Sequence, residues 1–224
     1  MLLTTTPVDL TVLTFPALKM RASDAGKLRG YFAQAFGESV LFHNHTADQG
    51  FRYGYSLIQY KVLRGVPTVL GVSKGARLVM DAFMDVNELV IANQTVSVDS
   101  KELEVARSEA GIVSALHEFR FATPLFAFNQ DNYALFKRLP DSDLKGFLTK
   151  IITSHLITAL RGIGCEVNPA SPILVSHRLR PCLVTVKNQR MQMYTGTFTA
   201  NVVLPPKIGI GKSTSKGFGT IVPL

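Results

Sequence analysis

The sequence predicts an α+β fold of two tandem ferredoxin-like (βαββαβ) domains, residues 1–99 and 112–224, with a C-terminal glycine-rich loop. Two observations predict it. The first half runs strand, helix, strand, strand, helix, strand, which is the split βαβ arrangement. The second half begins that order again, with the glycine-rich loop where its second helix is due.

The elements follow in order. "VDLTVLTFPAL" (8–18) alternates as a strand does. In "SDAGKLRGYFAQAFG" (23–37), Leu28, Tyr31, Phe32, Ala35 and Phe36 fall at helical spacing, with Ser23 or Asp24 as cap and Gly37 as stop. "FRYGYSLIQYKVL" and "PTVLGV" read as two strands joined at "RGV". "KGARLVMDAFM" (74–84) suits a second helix, and "ELVIANQTVSV" (88–98) a closing strand. The charged stretch "SKELEVARSEAG" within 99–115 is the expected join between the units. Beyond it, "LHEFRFATPLFAF" (116–128) alternates as a strand. A helix from about Ser142 to Ile163 carries Leu144, Phe147, Leu148, Ile151, Ile152, Leu156 and Leu160 on one face. "PCLVTVKN" and "MQMYTGTFTANVVL" form a hairpin turning at "NQR", and a short strand within "GFGTIVP" ends the chain.

Composition bounds the function. With 224 residues and 46% hydrophobic content, the chain builds a substantial core and is not a disordered tail. Its 24 Lys and Arg against 16 Asp and Glu give a net charge of +8, and the pI is near 9.6. That surplus favours nucleic acid or an anionic surface as partner. Cys165 and Cys182 make neither a disulfide framework nor a four-ligand zinc site. The opening "MLLTTTPVDL" is not a secretory signal, and no apolar run approaches 18 residues, so the reading is cytoplasmic with no membrane span.

"PPKIGIGKSTSKGFGTI" (205–221) contains the tail of a phosphate-binding loop, but Pro206 stands where G-x-x-x-x-G-K-[ST] requires glycine. The dinucleotide pattern fails as well, because Thr214 stands where a third glycine is needed. An ATP-binding reading rests on "GKST" alone. What remains is a loop whose glycines Gly209, Gly211, Gly217 and Gly219 bare their N–H groups beside Lys212 and Lys216, suited to a polyanion.

"FHNHTADQGFRYGYSLIQYK" (42–61) puts two of five histidines, His43 and His45, within three residues, ahead of Tyr53, Tyr55 and Tyr60. Three readings stay open. Alternate side chains of an extended segment point the same way and can share a metal, with Asp48 the nearest further ligand. Imidazoles also titrate near neutrality and serve as acid and base. The plainest reading is a polar, hydrogen-bonded loop. His155 falls on the apolar face of the long helix as a core group, and His117 begins a strand. His177, beside Arg178 and Arg180, suits a basic binding surface. Lys27 and Arg29 on the first helix are solvated charges or phosphate contacts.

"HNH", "YSLIQYK", "PTVLGVSKGA" and "GIGKSTSKGFGTI" together resemble the CRISPR-associated endoribonucleases of the repeat-associated mysterious protein (RAMP) superfamily, which cut precursor CRISPR RNA. The resemblance implies two ferredoxin-like domains and cleavage within the CRISPR repeat without metal or other cofactor. The ribose 2′-hydroxyl attacks the adjacent phosphate, leaving a cyclic phosphate and a 5′-hydroxyl. It assigns the base or acid to the histidine loop, His45 ahead of His43. Tyr53 or Tyr55 would donate to an oxygen, and Lys27 or Arg29 would neutralise charge. The glycine-rich loop, with Arg178 and Arg180, would follow the RNA backbone. Implied partners are CRISPR repeat RNA and other CRISPR effector subunits, the chain being a monomer or homodimer. The competing reading is a non-catalytic subunit that holds CRISPR RNA without cutting it.

Overall fold

The computed structural model describes residues 5–37, 39–43, 54–91 and 94–224. It divides into two compact units, Pro7–Ser108 with Thr214–Gly217, and Glu109–Ser213 with Phe218–Leu224 and the first six residues.

The N-terminal unit contains β1 (Thr6–Thr14), α1 (Ala25–Ala35), α2 (Val40–His43), β2 (Ile58–Leu63), β3 (Val66–Val72) and α3 (Lys74–Asp85). These are followed by β4 (Glu88–Ile91), β5 (Gln94–Ser97) and the first part of β6 (Glu102–Phe121). The sheet order is β2-β3-β1-β6. Antiparallel register sets Leu13 and Tyr60 both opposite Val69, one on each side of β3. With Phe15, Ile58 and Val79 these residues form the core that receives Leu28 and Phe32 from α1. Burying a side chain of this size contributes about 1.5–3 kcal/mol, so this face holds the helices to the sheet.

One expectation of the first unit needs correction. Residues 88–98 do not form one closing strand: β4 and β5 pair only with each other, Glu88 opposite Ser97. The segment buries Leu89 but leaves Val90 and Val96 exposed, too thin an apolar face for a place in the central sheet. The fourth position goes to β6, which runs through the charged stretch. There Leu103 is half-buried between exposed Glu102 and Glu104, and Val105 is itself exposed, so this opening stretch of β6 is solvated and the strand first becomes buried at Ala110 to Ile112.

The C-terminal unit continues β6 and adds α4 (Gln130–Phe136), α5 (Asp141–Gly162), β7 (Val175–Val186), β8 (Gln189–Val203) and β9 (Ile221–Pro223). β9 pairs β6, β6 pairs β8, and β8 pairs β7, all antiparallel. The strand order is thus fourth, first, third, second, as in the N-terminal unit. β6 is last of one set and first of the next. α5 buries Leu148, Ile151, Ile152, Leu156, Ala159 and Leu160, the face its spacing predicts. The β7–β8 hairpin reverses at Lys187 and Asn188, both at positive φ of 48° and 64°, the two-residue turn that matches strand twist.

The strand expected over 116–128 stops at Phe121. Pro124 cannot donate to a ladder, and the chain leaves the sheet to bridge β8 once, Leu125 opposite Tyr194. The sequence reading has no α4. Its signal is a cap: Asn129 Oδ1 accepts from the Asn132 N–H at 2.7 Å.

Candidate active site

The histidine segment follows α1. Its anchor is Phe42, 3% exposed, whose ring stacks on Phe32 and Phe36 with centroids 6.1 and 5.3 Å away. His43 is the next residue and closes α2, so core packing fixes where its backbone leaves the helix. His45 and Tyr53 lie outside the described residues.

Tyr55 enters a polar chain along β2. The Gln59 side-chain amide donates to the Tyr55 hydroxyl at 2.8 Å and to the Ser56 carbonyl at 3.0 Å. Gln59 Oε1 accepts from Lys61 Nζ at 2.8 Å. Both Gln59 and Lys61 are 0% exposed. Burial pulls the Lys61 amine down to about 7, within reach of neutral pH. Sequence reasoning missed this pair because strict alternation in "IQYKVL" suggests a strand with a wet face. The structure buries every residue from Ile58 to Val62. An alternating Gln-x-Lys inside an otherwise apolar strand is the signal that was available.

On the opposite side of β2, Tyr60 packs against Phe32, centroids 5.6 Å apart. Its buried hydroxyl has no hydrogen-bond partner among the described residues. Burial raises this phenol above its ordinary range, and the Arg29 charge partly offsets the rise. Tyr60→Phe removes a polar atom that gains no hydrogen bond, so stability should hold or rise by up to about 1 kcal/mol. Thermal melting checks this, and a loss beyond 1 kcal/mol would mean that the hydroxyl has a partner.

The two cations of α1 part company. Two residues subtend about 200° around a helix, so Lys27 and Arg29 cannot both face one phosphate. Lys27 Nζ pairs with Asp24 at 2.8 Å, and that hydrogen bond holds the Asp24 carboxyl below its usual value. Lys27 also lines a cleft of about 480 Å³ beside Met20, Leu89 and Val96. Arg29 is half-buried on the Tyr60 side. The structure therefore brings Arg29, Tyr60 and the end of α2 to one core and sends Lys27 elsewhere.

The glycine-rich loop corrects part of a further expectation. Four of its N–H groups are not bare: Ile210 donates to Gly219, Lys212 to Phe126, Gly217 to Thr214 and Gly219 to Pro124, at 2.8–3.1 Å. Gly209 bridges Thr220. Residues Thr214–Lys216 form a 3-10 turn against β2. Gly217, at φ 84°, lies so close that a Cβ would stand 2.8 Å from the Tyr60 carbonyl oxygen. Gly219, at φ 64°, would drive a Cβ into the Ile210 carbonyl. The glycines let backbone approach backbone, and this loop packs on the strand carrying Gln59, Tyr60 and Lys61. Lys212 is exposed, whereas Lys216 is half-buried.

Elsewhere, His155 donates its Nε2–H to the Ala127 carbonyl at 2.7 Å, and burial keeps it neutral at pH 7, a satisfied core group. His177 Nε2–H donates to the Lys145 carbonyl at 3.2 Å. Arg178 and Arg180 are exposed two residues apart on β7, hence on one face. No cluster of three His, Cys, Asp or Glu suited to a metal occurs among the described residues. No helix there is long and apolar enough to cross a membrane.

Comparison with known proteins decides the family. The Cas6b N-terminal domain model matches residues 7–109, and the Cas6b C-terminal domain model matches 111–224. The chain belongs to the Cas6b family. A Cas6b crystal structure is similar to it at 27% identity with a TM-score of 0.90, covering 98% of this chain and 100% of that one. A second, described as a CRISPR RNA processing endoribonuclease Cas6b, gives 23% identity and a TM-score of 0.78 over 98% and 100% of the two chains, a likeness of fold. An uncharacterized protein of Methanocaldococcus jannaschii is 24% identical over 143 residues, 63% of this chain and 96% of its own. The boundary between the two Cas6b domains falls inside β6, beside the division between Ser108 and Glu109.

Proposed function

We propose that this Cas6b-family chain cuts precursor CRISPR RNA within its repeat, without a metal ion. The observation that carries the reading is the match of the chain's two halves to both Cas6b domains, with the Phe42 ring holding the end of α2 that closes at His43. In the proposed step one imidazole of the His43/His45 pair takes the proton of a ribose 2′-hydroxyl, and the 2′-oxygen bonds to the adjacent phosphorus. The P–O5′ bond breaks, and the other imidazole gives its proton to the departing 5′-oxygen. The products are a 2′,3′-cyclic phosphate and a 5′-hydroxyl. Arg29 offsets the charge of the phosphorane, and Tyr55, whose hydroxyl accepts from Gln59, donates to a phosphate oxygen.

The shared strand order of the two units supports reading both as ferredoxin-like, with 204–220 in place of the second unit's second helix. The partner is CRISPR repeat RNA, met in the cytoplasm, with other CRISPR effector subunits as further candidates and a monomer or homodimer as the working form. Incubating the chain with labelled repeat RNA in EDTA tests the reading. The expected result is one cut within the repeat, and binding without cutting would favour the non-catalytic subunit.

Because four of the loop's N–H groups are committed internally, RNA contact there relies on side chains, Lys212 foremost, joined by Arg178 and Arg180. Lys212→Ala should weaken RNA binding and lower the salt slope by about 0.7–0.9, one phosphate contact. ATP should not raise the melting temperature. An unchanged slope, or ATP binding lost in Lys212→Ala, would contradict this role.

A further inference from the structure

We propose that a cleft in the C-terminal unit, between Phe126, Tyr133 and the start of β8, takes one unpaired nucleotide of the RNA. The inference rests on the RNA-processing reading and deepens it by assigning a second contact, in a part of the chain that the proposed chemistry does not use.

The cleft measures about 560 Å³, within the range of small-molecule sites. Its walls combine aromatic faces with amides and cations. Phe126 and Tyr133 contribute rings, and buried Phe128 backs Tyr133 with centroids 6.1 Å apart. Gln192 commits its NH₂ to the Tyr194 hydroxyl at 2.7 Å, leaving a carbonyl as acceptor. Asn129 commits its oxygen to capping α4, leaving an NH₂ as donor. An acceptor and a donor beside an aromatic wall meet what every nucleobase offers: a flat π-face whose edge carries both hydrogen-bonding types. Arg190 and Lys212, both exposed, supply cations at the rim for the attached phosphate. Asp131 is the one acid lining the cleft, so the rim keeps a positive balance on a chain of net charge +8.

The cleft is preformed rather than a gap between loose loops. Leu125 and Tyr194 exchange backbone hydrogen bonds at 2.7 and 3.0 Å, and the Lys212 N–H donates to the Phe126 carbonyl at 2.8 Å. His155 holds the Ala127 carbonyl from beneath at 2.7 Å. Three consecutive residues, 125–127, are thus tied to β8, to the glycine-rich loop and to α5. The last two of these links explain why a basic loop residue and a core histidine converge on a segment that leaves the sheet at Pro124.

The test uses the full chain and the repeat RNA of the CRISPR array in the same genome, with a 2′-deoxy group at the cut site so that binding is measured without turnover. Single abasic substitutions are scanned along the unpaired positions. One position should weaken wild-type binding by about 5- to 150-fold, the range of a stacked base. The same substitution should change the affinity of Tyr133→Ala by less than about threefold, while Tyr133→Phe keeps the wild-type response. Arg190→Ala, a surface change, should weaken intact RNA and lower the salt slope by about 0.7. Abasic losses that are equal in wild type and Tyr133→Ala at every position overturn the pocket, even if the protein still cuts the all-ribose repeat normally. Failure of the wild type to bind or cut intact repeat RNA overturns the endoribonuclease reading, and the pocket with it.

Discussion

His45→Ala should lower the single-turnover rate of repeat cleavage by about 10²–10⁴-fold, with RNA affinity little changed. That is the usual loss when a positioned acid or base is removed, equal to about 3–5 kcal/mol of transition-state stabilisation. His43→Ala should lie in the same range if the two imidazoles divide the proton transfers. Loss of either leaves one transfer to water, so the double variant should fall little below the worse single variant, as groups acting as a unit do. Affinity is the control. The Phe42 ring and the rings of α1 hold the end of α2, so the fold and the RNA surface should survive. Wild-type rates in the double variant would end this assignment.

Lys61→Met should change how stability responds to pH. The Lys61 amine lies at about 7 in the folded chain against 10.5 when unperturbed. Between those values the unfolded chain binds more protons, so the Lys61 contribution to stability rises with pH. Below pH 7 both states are protonated, and the full penalty of a buried ammonium is present. From pH 7 to 9 the wild type should gain roughly 2 kcal/mol relative to Lys61→Met, or about 4–8 °C in melting temperature for a chain of this size. The variant also removes the hydrogen bond from Lys61 to Gln59 Oε1, but that loss does not depend on pH, so the change in the difference reports the amine. Melting temperatures that stay parallel from pH 7 to 9 would show that Lys61 titrates near its ordinary value.

Much of this was legible in the sequence, and the failures have physical causes. Helices with one apolar stripe announced themselves: α1 through Leu28 and Phe32, α5 through its seam from Leu148 to Leu160. Strand existence was legible, but partnership was not. Whether 88–98 or the charged 102–121 completes the first sheet depends on pairing across the chain, which period-2 alternation does not encode. The break at Pro124 was written in the sequence, yet the surrounding phenylalanines masked it. For the site, composition favoured nucleic acid or an anionic surface and the close histidine pair left three readings open, so the RNA-processing reading came from the family resemblance. Composition could not tell Lys27 from Arg29, because their difference is one of helix azimuth. Gly217 and Gly219 were visible as glycines. Their role of letting the loop lie against β2 and Ile210 needed coordinates.

The central claim is that the RNA's own 2′-hydroxyl is the nucleophile and that no metal takes part. The direct measurement is cleavage of end-labelled repeat RNA in EDTA, all-ribose against a single 2′-deoxy substitution on the nucleotide just upstream of the cut. The account predicts full cleavage of the all-ribose strand to a 2′,3′-cyclic phosphate and a 5′-hydroxyl. It predicts no cleavage of the deoxy strand, although that strand binds as tightly. Cleavage of the deoxy strand, or activity that vanishes in EDTA and returns with zinc, would contradict it.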